Sequence, residues 1–272
     1  MVQLVCPVRG CGRALVFGER AVACDAGHSF DRARSGYVNL LGPGERRARE
    51  PGDARAIVAA RRRTLERGLA DALREALVAH LGGLSLGGAG LLDAGCGEGF
   101  FLGAISERLP VDGWGVDLSV AAIDAAARRY ARPHFLVANV DRRLPFADAS
   151  FRAILSILGR KHPSEFERLL EPEGRIILVV PAADDQGELR EAMLGRVIDK
   201  GWADRSAAAF APAFVVDRDE EVRQRARLAP DALVDLVDGT YRAGRKSARE
   251  RLLALGEMEV TSAWRLLSLA RR

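Results

Sequence analysis

The sequence predicts an α/β protein with a doubly wound, Rossmann-like sheet and a small module in front of it. Three observations support this prediction. Apolar runs of strand length alternate with segments of helical periodicity over residues 90–180. A glycine-rich loop, residues 93–99, follows the first of these runs. Three cysteines and one histidine lie within residues 6–28, well before the sheet begins.

The composition limits the class of protein. A chain of 272 residues with 48% hydrophobic content fits one large domain with an appendage. No apolar run reaches the ~20 residues of a membrane helix, and residues 1–10 contain no apolar signal core. We therefore expect a cytoplasmic protein with no membrane partner. Residues 1–70 hold 13 Arg against 7 Asp or Glu, which indicates either a polyanionic partner or a solvated, arginine-rich surface.

The N-terminal cluster consists of Cys6, Cys11, Cys24 and His28, in the pattern C-x4-C-x12-C-x3-H. Each pair fits a tight turn, and the segment between the pairs can form a short hairpin. The pattern predicts a zinc ribbon over residues 1–42, in which three thiolates and one imidazole fill a closed, structural zinc site. The alternative is a chance cluster in a reduced protein. A redox role is disfavoured because no C-x-x-C is present.

Residues 43–88 are predicted to form a linker and a helical segment. Glycine, proline and charge dominate residues 42–53, which predicts an exposed linker with Asp53 as the N-cap of the next helix. Apolar residues recur at helical spacing over residues 54–80, which predicts one long helix. Arg61–Arg63 lie in its middle, where they either contact phosphates or solvate the helix.

The glycine loop begins the third region, residues 89–272. An acid, Asp93, precedes three glycines in the order G-x-G-x-G, and a helical pattern follows. A second acid, Asp117, ends the next apolar run, 22 residues after Gly95. Strand, glycine loop and helix together are typical of a nucleotide-binding turn, and an acid at this spacing can hold two ribose hydroxyls.

These residues resemble those of the class I S-adenosylmethionine (SAM) methyltransferases. The resemblance implies a class I doubly wound sheet with SAM over the glycine loop, Asp93 near the methionine amino group and Asp117 on the ribose. It also implies that Asn139 or Asp141 faces the adenine amine and that Val140 packs on the ring. The implied cofactor-binding residues are Asp93, Gly95, Gly97, Gly99, Asp117, Leu118, Asn139, Val140 and Asp141.

The other elements of this region follow from periodicity. Residues 211–216 and 260–270 are predicted to pair as an antiparallel hairpin at the sheet edge. A helical segment at 230–255 carries a basic stretch that includes Tyr241, Arg242, Arg245 and Lys246. Strands are predicted at 90–94, 113–117, 134–138, 151–157 and 174–180, and helices at 99–109, 119–130, 163–170 and 187–200.

A narrower resemblance rests on three short motifs. Residues 36–41 read G-Y-V-N-L-L, residues 51–53 read P-G-D, and residues 60–62 read A-R-R. Together with the ribbon they resemble the bacterial 23S ribosomal RNA guanine-N1 methyltransferases, some of which protect antibiotic producers. The resemblance implies methylation of guanine N1 in 23S ribosomal RNA. The chain departs from the family in its C-x4-C knuckle, in Arg160-Lys161-His162 where an Ala-Pro-like pair is usual, and in a missing histidine near 185–189.

Guanine N1 carries a proton, so its methylation needs a base, and Asp141, His162 and Asp184 are candidates by location only. We expect Arg9, Arg13, Arg32, Arg34 and part of Arg61–Arg63 to border the cofactor cleft. Two alternative functions stay open: a methyltransferase for a small molecule or protein, and a catalytically weak zinc- and RNA-binding protein. A homodimer is also an open alternative.

Overall fold

The computed structural model describes residues 2–42, 52–197, 199–240 and 246–272. The predicted basic stretch at 241–245 and most of the predicted linker at 42–53 lie outside these ranges. Among the described helices, none combines the length and apolarity that a membrane crossing requires.

Two sheets organise the described residues. The N-terminal ribbon is a three-stranded antiparallel sheet in the order β1-β2-β3, and its first hairpin lies between the two cysteine pairs, as predicted. The main sheet has eight strands in the order β10-β11-β9-β8-β5-β6-β7-β4. The strands are β1 (Val16–Phe17), β2 (Ala21–Ala23), β3 (Ser29–Asp31), β4 (Val38–Asn39), β5 (Gly90–Ala94), β6 (Asp112–Asp117), β7 (His134–Val137), β8 (Phe151–Ile157), β9 (Leu170–Pro181), β10 (Phe214–Leu228) and β11 (Met258–Arg271).

The strand order confirms the doubly wound prediction. β5 lies centrally with β6 and β7 on one side and β8 and β9 on the other, all parallel. The chain order reverses at β5, so the carboxyl ends of β5 and its neighbours form the crevice where ligands bind in such sheets. β10 and β11 form the predicted antiparallel edge hairpin.

Helices cover both faces of the main sheet and connect its parallel strands. The described helices are α1 (Arg55–Glu66), α2 (Asp71–Gly82), α3 (Phe100–Arg108), α4 (Val120–Arg129), α5 (Pro163–Leu169), α6 (Gly187–Leu194), α7 (Trp202–Phe210), α8 (Pro230–Asp238) and α9 (Lys246–Ala254).

The ribbon and the main sheet share one hydrophobic core. Leu4 and Val22 of the N-terminal module belong to the same buried cluster as Trp114 and Phe146. The backbone N–H of Val5 donates to a carbonyl in the loop before β8, and β4 adds to the main sheet as a parallel edge strand beside β7. Residues 2–42 therefore pack as a continuous part of the larger structure.

Several element predictions are wrong in their bounds. The single helix over 54–80 is two helices, because Gly68 turns the chain with φ +78 between them. The helix over 187–200 ends at Leu194, where Gly195 takes a left-handed conformation. The helical segment at 230–255 is divided between α8 and α9, and α7 was not predicted.

The edge strands also differ from their predicted bounds. The predicted strand 211–216 is the start of a 15-residue strand, Phe214–Leu228, whose later part is charged and exposed. An edge strand needs little apolar patterning, so periodicity did not reveal it. β9 likewise begins at Leu170, before the predicted residue 174.

Candidate cofactor site and zinc cluster

The glycine loop connects β5 to α3 through three left-handed residues. Gly95, Gly97 and Gly99 have φ values of +89, +55 and +76. A Cβ on Gly99 would lie 3.0 Å from the Phe135 ring and 3.1 Å from the Ala126 side chain. Only glycine fits this conformation and this space together, so the chain can turn tightly and present its backbone to a ligand.

Asp117, at the end of β6, holds the glycine loop in place. Its Oδ2 accepts a hydrogen bond of 2.9 Å from the backbone N–H of Gly97, and its Oδ1 accepts one of 2.8 Å from that of Ser119. Burial raises the pKa of this carboxyl, and the two backbone hydrogen bonds oppose that effect. The acid thus lies at the glycine loop, and its contact with a ribose stays a prediction.

Asp93, near the end of β5, is a buried acid at the start of the glycine loop. Its side chain is buried, and its Oδ1 makes no hydrogen bond to any described residue. Burial, followed by the nearby charge of Asp117, raises the pKa of Asp93 to about 7. A buried carboxylate oxygen without a partner is costly unless a ligand satisfies it. The ammonium group of SAM has the required charge and donors, so the residues present fit this cofactor.

The loop after β7 holds the residues predicted for the adenine. Asn139 Oδ1 accepts a hydrogen bond of 3.0 Å from the backbone N–H of Asp141, which forms a tight turn. Val140 is buried, whereas Leu118, after β6, is half-buried. The carboxylate of Asp141 is exposed and pairs with Arg160, whose Nη2 lies 2.6 Å from Oδ2.

The loop after β8 lies beside the glycine loop. A Cβ on Gly95 would lie 3.8 Å from the Cα of Gly159. Leu158 is 51% exposed and has a left-handed φ of +53, which is strained for this residue type. Burial lowers the pKa of Lys161. His162 caps α5, because its Nδ1 accepts a hydrogen bond of 3.3 Å from the backbone N–H of Glu165.

The third candidate base, Asp184, follows β9 and pairs with Arg223 of β10 at 2.7 and 3.0 Å. These hydrogen bonds lower its pKa. The next residue, Asp185, was not singled out from the sequence. Its carboxylate accepts a hydrogen bond of 3.0 Å from the backbone N–H of Ala263, and burial raises its pKa to about 6. Each of the three predicted bases therefore has a protein partner.

Helix α1 crosses the glycine loop, which the sequence did not indicate. Arg61 approaches Gly97 and pairs with Asp53 at 2.6 Å, so the prediction that Asp53 caps the helix is wrong. Arg62 pairs with the buried Glu98 of the loop at 2.9 Å. Pairing between these arginines and acids depends on a helix packing across a turn, which no local pattern predicts.

The cysteine cluster has the dimensions of a tetrahedral metal site. The ligand atoms of Cys6, Cys11, Cys24 and His28 all lie within 4.8 Å of one another. The Sγ atoms of Cys11 and Cys24 are 3.9 Å apart, and His28 Nδ1 lies 3.4 Å from the Sγ atoms of Cys6 and Cys24. Normal zinc bond lengths give tetrahedral edges of about 3.8 Å between sulfurs and about 3.6 Å from sulfur to nitrogen. The residues present fit a zinc ion.

A cavity of about 480 Å³ lies between the ribbon and the carboxyl edge of the sheet. Its lining includes Arg9 and His28 from the ribbon and Asn139, Arg142 and Arg143 from the loop after β7. Arg9 thus lies near the predicted cleft, and so does the adenine loop. The cavity connects the zinc ribbon with the ligand-binding edge.

The other N-terminal arginines are spread more widely than predicted. Arg32 does not line the cavity, and its backbone bridges to Val38 of β4. Arg63 turns to Asp235 of α8 at 2.6 Å. Arg13 pairs with Asp25 on the ribbon surface. The position of the exposed Arg34 toward the cleft stays a prediction.

Comparison with known proteins identifies similar sequences for both parts of the chain. A family described as a methyltransferase domain matches residues 91–174, and one described as the N-terminal zinc ribbon of RlmA matches residues 4–49. The chain is 35% identical to a 23S rRNA (guanine(748)-N(1))-methyltransferase of Streptomyces fradiae over 238 residues, covering 86% of this chain and 83% of that protein.

A second relative and a solved structure agree with this match. A Micromonospora griseorubida protein assigned to the 23S rRNA (guanine-N(1)-)-methyltransferases is 32% identical over 287 residues, which covers 97% of this chain and 96% of that one. One chain from the complex of the Haloferax volcanii Trm112 methyltransferase activator with a methyltransferase has a TM-score of 0.51. It is 19% identical and spans 79% of this chain and 98% of its own, which shows the shared fold.

Proposed function

The chain belongs to the family of the 23S rRNA (guanine-N1)-methyltransferases, and from this membership we propose that it methylates N1 of a guanine in 23S ribosomal RNA. The observation that carries the proposal is the packing of a zinc ribbon against a SAM-dependent methyltransferase sheet, with an arginine-lined cavity between them. A small acceptor would need no such second module. An RNA segment can contact the ribbon and the cofactor edge at once.

The cofactor site assigned here uses the glycine loop and the two acids. SAM supplies an electrophilic methyl group on its sulfonium. Asp93 holds the ammonium of the methionine moiety, because its buried Oδ1 has no described protein partner. Asp117 accepts from the ribose hydroxyls and keeps the loop closed through its hydrogen bond to Gly97. Leu118, Asn139 and Val140 surround the adenine, and the backbone of Asp141 closes the turn through Asn139.

The chain contributes chiefly by alignment. An in-line transfer needs the attacking nitrogen and the methyl carbon at close range and fixed angle, and positioning of this kind lowers a barrier by several kcal/mol. Leu158, exposed and strained beside the glycine loop, offers an apolar surface against which the flat guanine can pack. Arg160 and Lys161 add positive charge at the same loop.

The proton on guanine N1 must leave during the reaction. Among the candidates, Asp141 lies in the loop beside the cofactor edge, but Arg160 holds its carboxylate. We assign Asp141 as the acceptor of this proton once Arg160 turns toward an RNA phosphate. His162 and Asp184 are then structural, since the first caps α5 and the second binds Arg223.

The four-ligand cluster holds a structural zinc ion. Three thiolates and His28 leave no open position, so the metal does not take part in the methyl transfer. Its role is to keep the ribbon folded and Arg9 beside the cavity. Assembly as a homodimer and a cytoplasmic location stay predictions, and light scattering after size exclusion tests the first.

The decisive experiment is to map methylated nucleosides. Purified protein and SAM are incubated with unmethylated 23S ribosomal RNA, and the digested RNA is analysed by mass spectrometry. We expect N1-methylguanosine at one position, and a lower yield from the Asp117→Ala variant when SAM is kept near the dissociation constant of the wild-type protein. No N1-methylguanosine from the wild-type protein, combined with transfer to a small acceptor, would overturn the proposal.

A further inference from the structure

The guanidinium of Arg61 lies at the glycine loop, and one of its three nitrogens has no hydrogen-bond partner among the described residues. Nε and Nη2 donate to the carbonyl of Gly239, at the end of α8, at 3.1 and 2.9 Å. Nη2 also pairs with Asp53 at 2.6 Å. Nη1 makes no hydrogen bond to any described residue, and it lies 3.7 Å from the position of a Cβ on Gly97. Both N–H groups of Nη1 are therefore available at the loop.

The surroundings of the loop carry charges of both signs. Asp93, at the start of the loop, is buried with an oxygen that has no described partner. Arg61 is close enough to act on the charges of Asp117, beside the loop, and of Glu98, within it. Glu98 is itself neutralised by Arg62. The loop thus begins with a carboxylate oxygen that has no described partner, and Arg61 brings an N–H donor without a described partner to Gly97.

This arrangement matches a zwitterion. An amino-acid group carries an ammonium and a carboxylate a few ångströms apart, and each needs a partner of opposite charge when it leaves water. We propose that Arg61 binds the α-carboxylate of the methionine moiety of SAM through Nη1, opposite the ammonium on Asp93. The inference rests on the proposed function, since it takes the glycine loop as the cofactor site.

The position of Arg61 depends on the turn before α1. A Cβ on Gly52 would lie 2.6 Å from the backbone nitrogen of Ser119, so this turn presses directly on the residue that Asp117 holds. Ser119 Oγ donates to the carbonyl of Asp53 at 2.6 Å, and the carboxylate of Asp53 then orients Arg61. The ribose acid and the carboxylate donor are therefore held in one hydrogen-bonded network.

The test compares two ligands by isothermal titration calorimetry on the full chain. SAM carries the carboxylate, whereas decarboxylated SAM retains the sulfonium and the amine but lacks it. We expect Arg61→Gln to weaken SAM about 10- to 100-fold, the range for a lost charge-assisted hydrogen bond, and to leave decarboxylated SAM unchanged. Arg61→Lys should keep part of the affinity for SAM. Arg63→Gln is the matched control, since it removes one charge from the same helix away from the loop.

Two further variants distinguish a wrong cofactor site from a wrong carboxylate partner. Asp93→Asn should weaken both ligands, because both carry the amine, and Asp117→Ala should weaken both through the ribose. If Asp117→Ala changes neither affinity, the cofactor site itself is misassigned. Suppose instead that Asp117→Ala weakens both ligands. If Arg61→Gln then changes the affinities for SAM and decarboxylated SAM equally, or changes neither affinity, the carboxylate assignment is wrong. Thermal unfolding of each variant shows that it is folded before titration.

Discussion

Asp117 Oδ2 lies 2.9 Å from the backbone nitrogen of Gly97, so the acid that ends one strand fixes the loop that follows its neighbour. The same carboxylate is predicted to accept from the ribose of SAM. Asp117→Ala should weaken SAM binding by about 1–3 kcal/mol, the range for a lost hydrogen bond to a charged group. Calorimetry measures the loss, and an unchanged affinity would remove Asp117 from the site.

The raised pKa of Asp93 predicts that SAM binding depends on pH. Its pKa is raised to about 7, so the side chain is protonated at pH 6 and ionised at pH 8 in the free protein. Only the ionised form attracts the ammonium, so affinity should rise from pH 5.5 to about 7.5, with release of a proton on binding at the lower pH. Titrations in two buffers of different ionisation enthalpy count that proton. Asp93→Asn should abolish both effects, and a flat wild-type profile would contradict the assignment.

The zinc cluster predicts one bound zinc per chain. Cys24→Ser removes a thiolate ligand, so the zinc content should fall well below one. Because the ribbon shares a buried cluster with the main sheet, the midpoint of thermal unfolding should fall as well. Cys96→Ser is the control: this cysteine lies in the glycine loop, outside the cluster, and its replacement should leave the zinc content at one. Full zinc content in Cys24→Ser would refute the ligand set.

The backbone angle and the close surroundings of Gly99 predict that a side chain at this position destabilises the protein. Alanine there must adopt φ +76 and push against the Phe135 ring, so we expect Gly99→Ala to lower the free energy of unfolding by roughly 2–4 kcal/mol. Gly88 has a similar φ of +84 with no atom within 4 Å, so Gly88→Ala isolates the backbone strain. Urea unfolding compares the two. Equal losses would show that the contact with Phe135 costs nothing.

If the protein binds RNA through its phosphates, the affinity for RNA should depend strongly on salt concentration. Arg9 lines the cavity between the ribbon and the sheet edge, so Arg9→Ala should reduce the slope of log K against log salt by somewhat under one unit. Arg32 is another N-terminal arginine but does not line this cavity, and Arg32→Ala should keep the wild-type slope. Fluorescence titration of a 23S hairpin at several salt concentrations measures both. A flat dependence in the wild-type protein would contradict the RNA assignment.

The local sequence was sufficient for the parts of the molecule that depend on short-range rules. The alternation of strands and helices predicted the doubly wound sheet, because buried parallel strands and their connecting helices each have a recognisable period. The spacing of Gly95, Gly97 and Gly99 predicted a tight turn between strand and helix, because glycine adopts the left-handed angles found there more readily than other residues. Cys6 through His28 predicted the ribbon, because the four ligands are close in sequence.

Only the tertiary structure decided which long-range partners these residues have. The sequence left open whether Arg61 and Arg62 contact phosphates or solvate the helix. In the structure α1 packs across the glycine loop and gives them Asp53, Gly239 and Glu98 as partners. From the sequence, Asp141 was a candidate base by location only, and the structure pairs its carboxylate with Arg160. Ion pairs and hydrogen bonds between distant segments depend on how the elements pack, and no local periodicity records that packing. The sequence therefore determined the fold and the loop, and the packing determined which charges are left for a ligand.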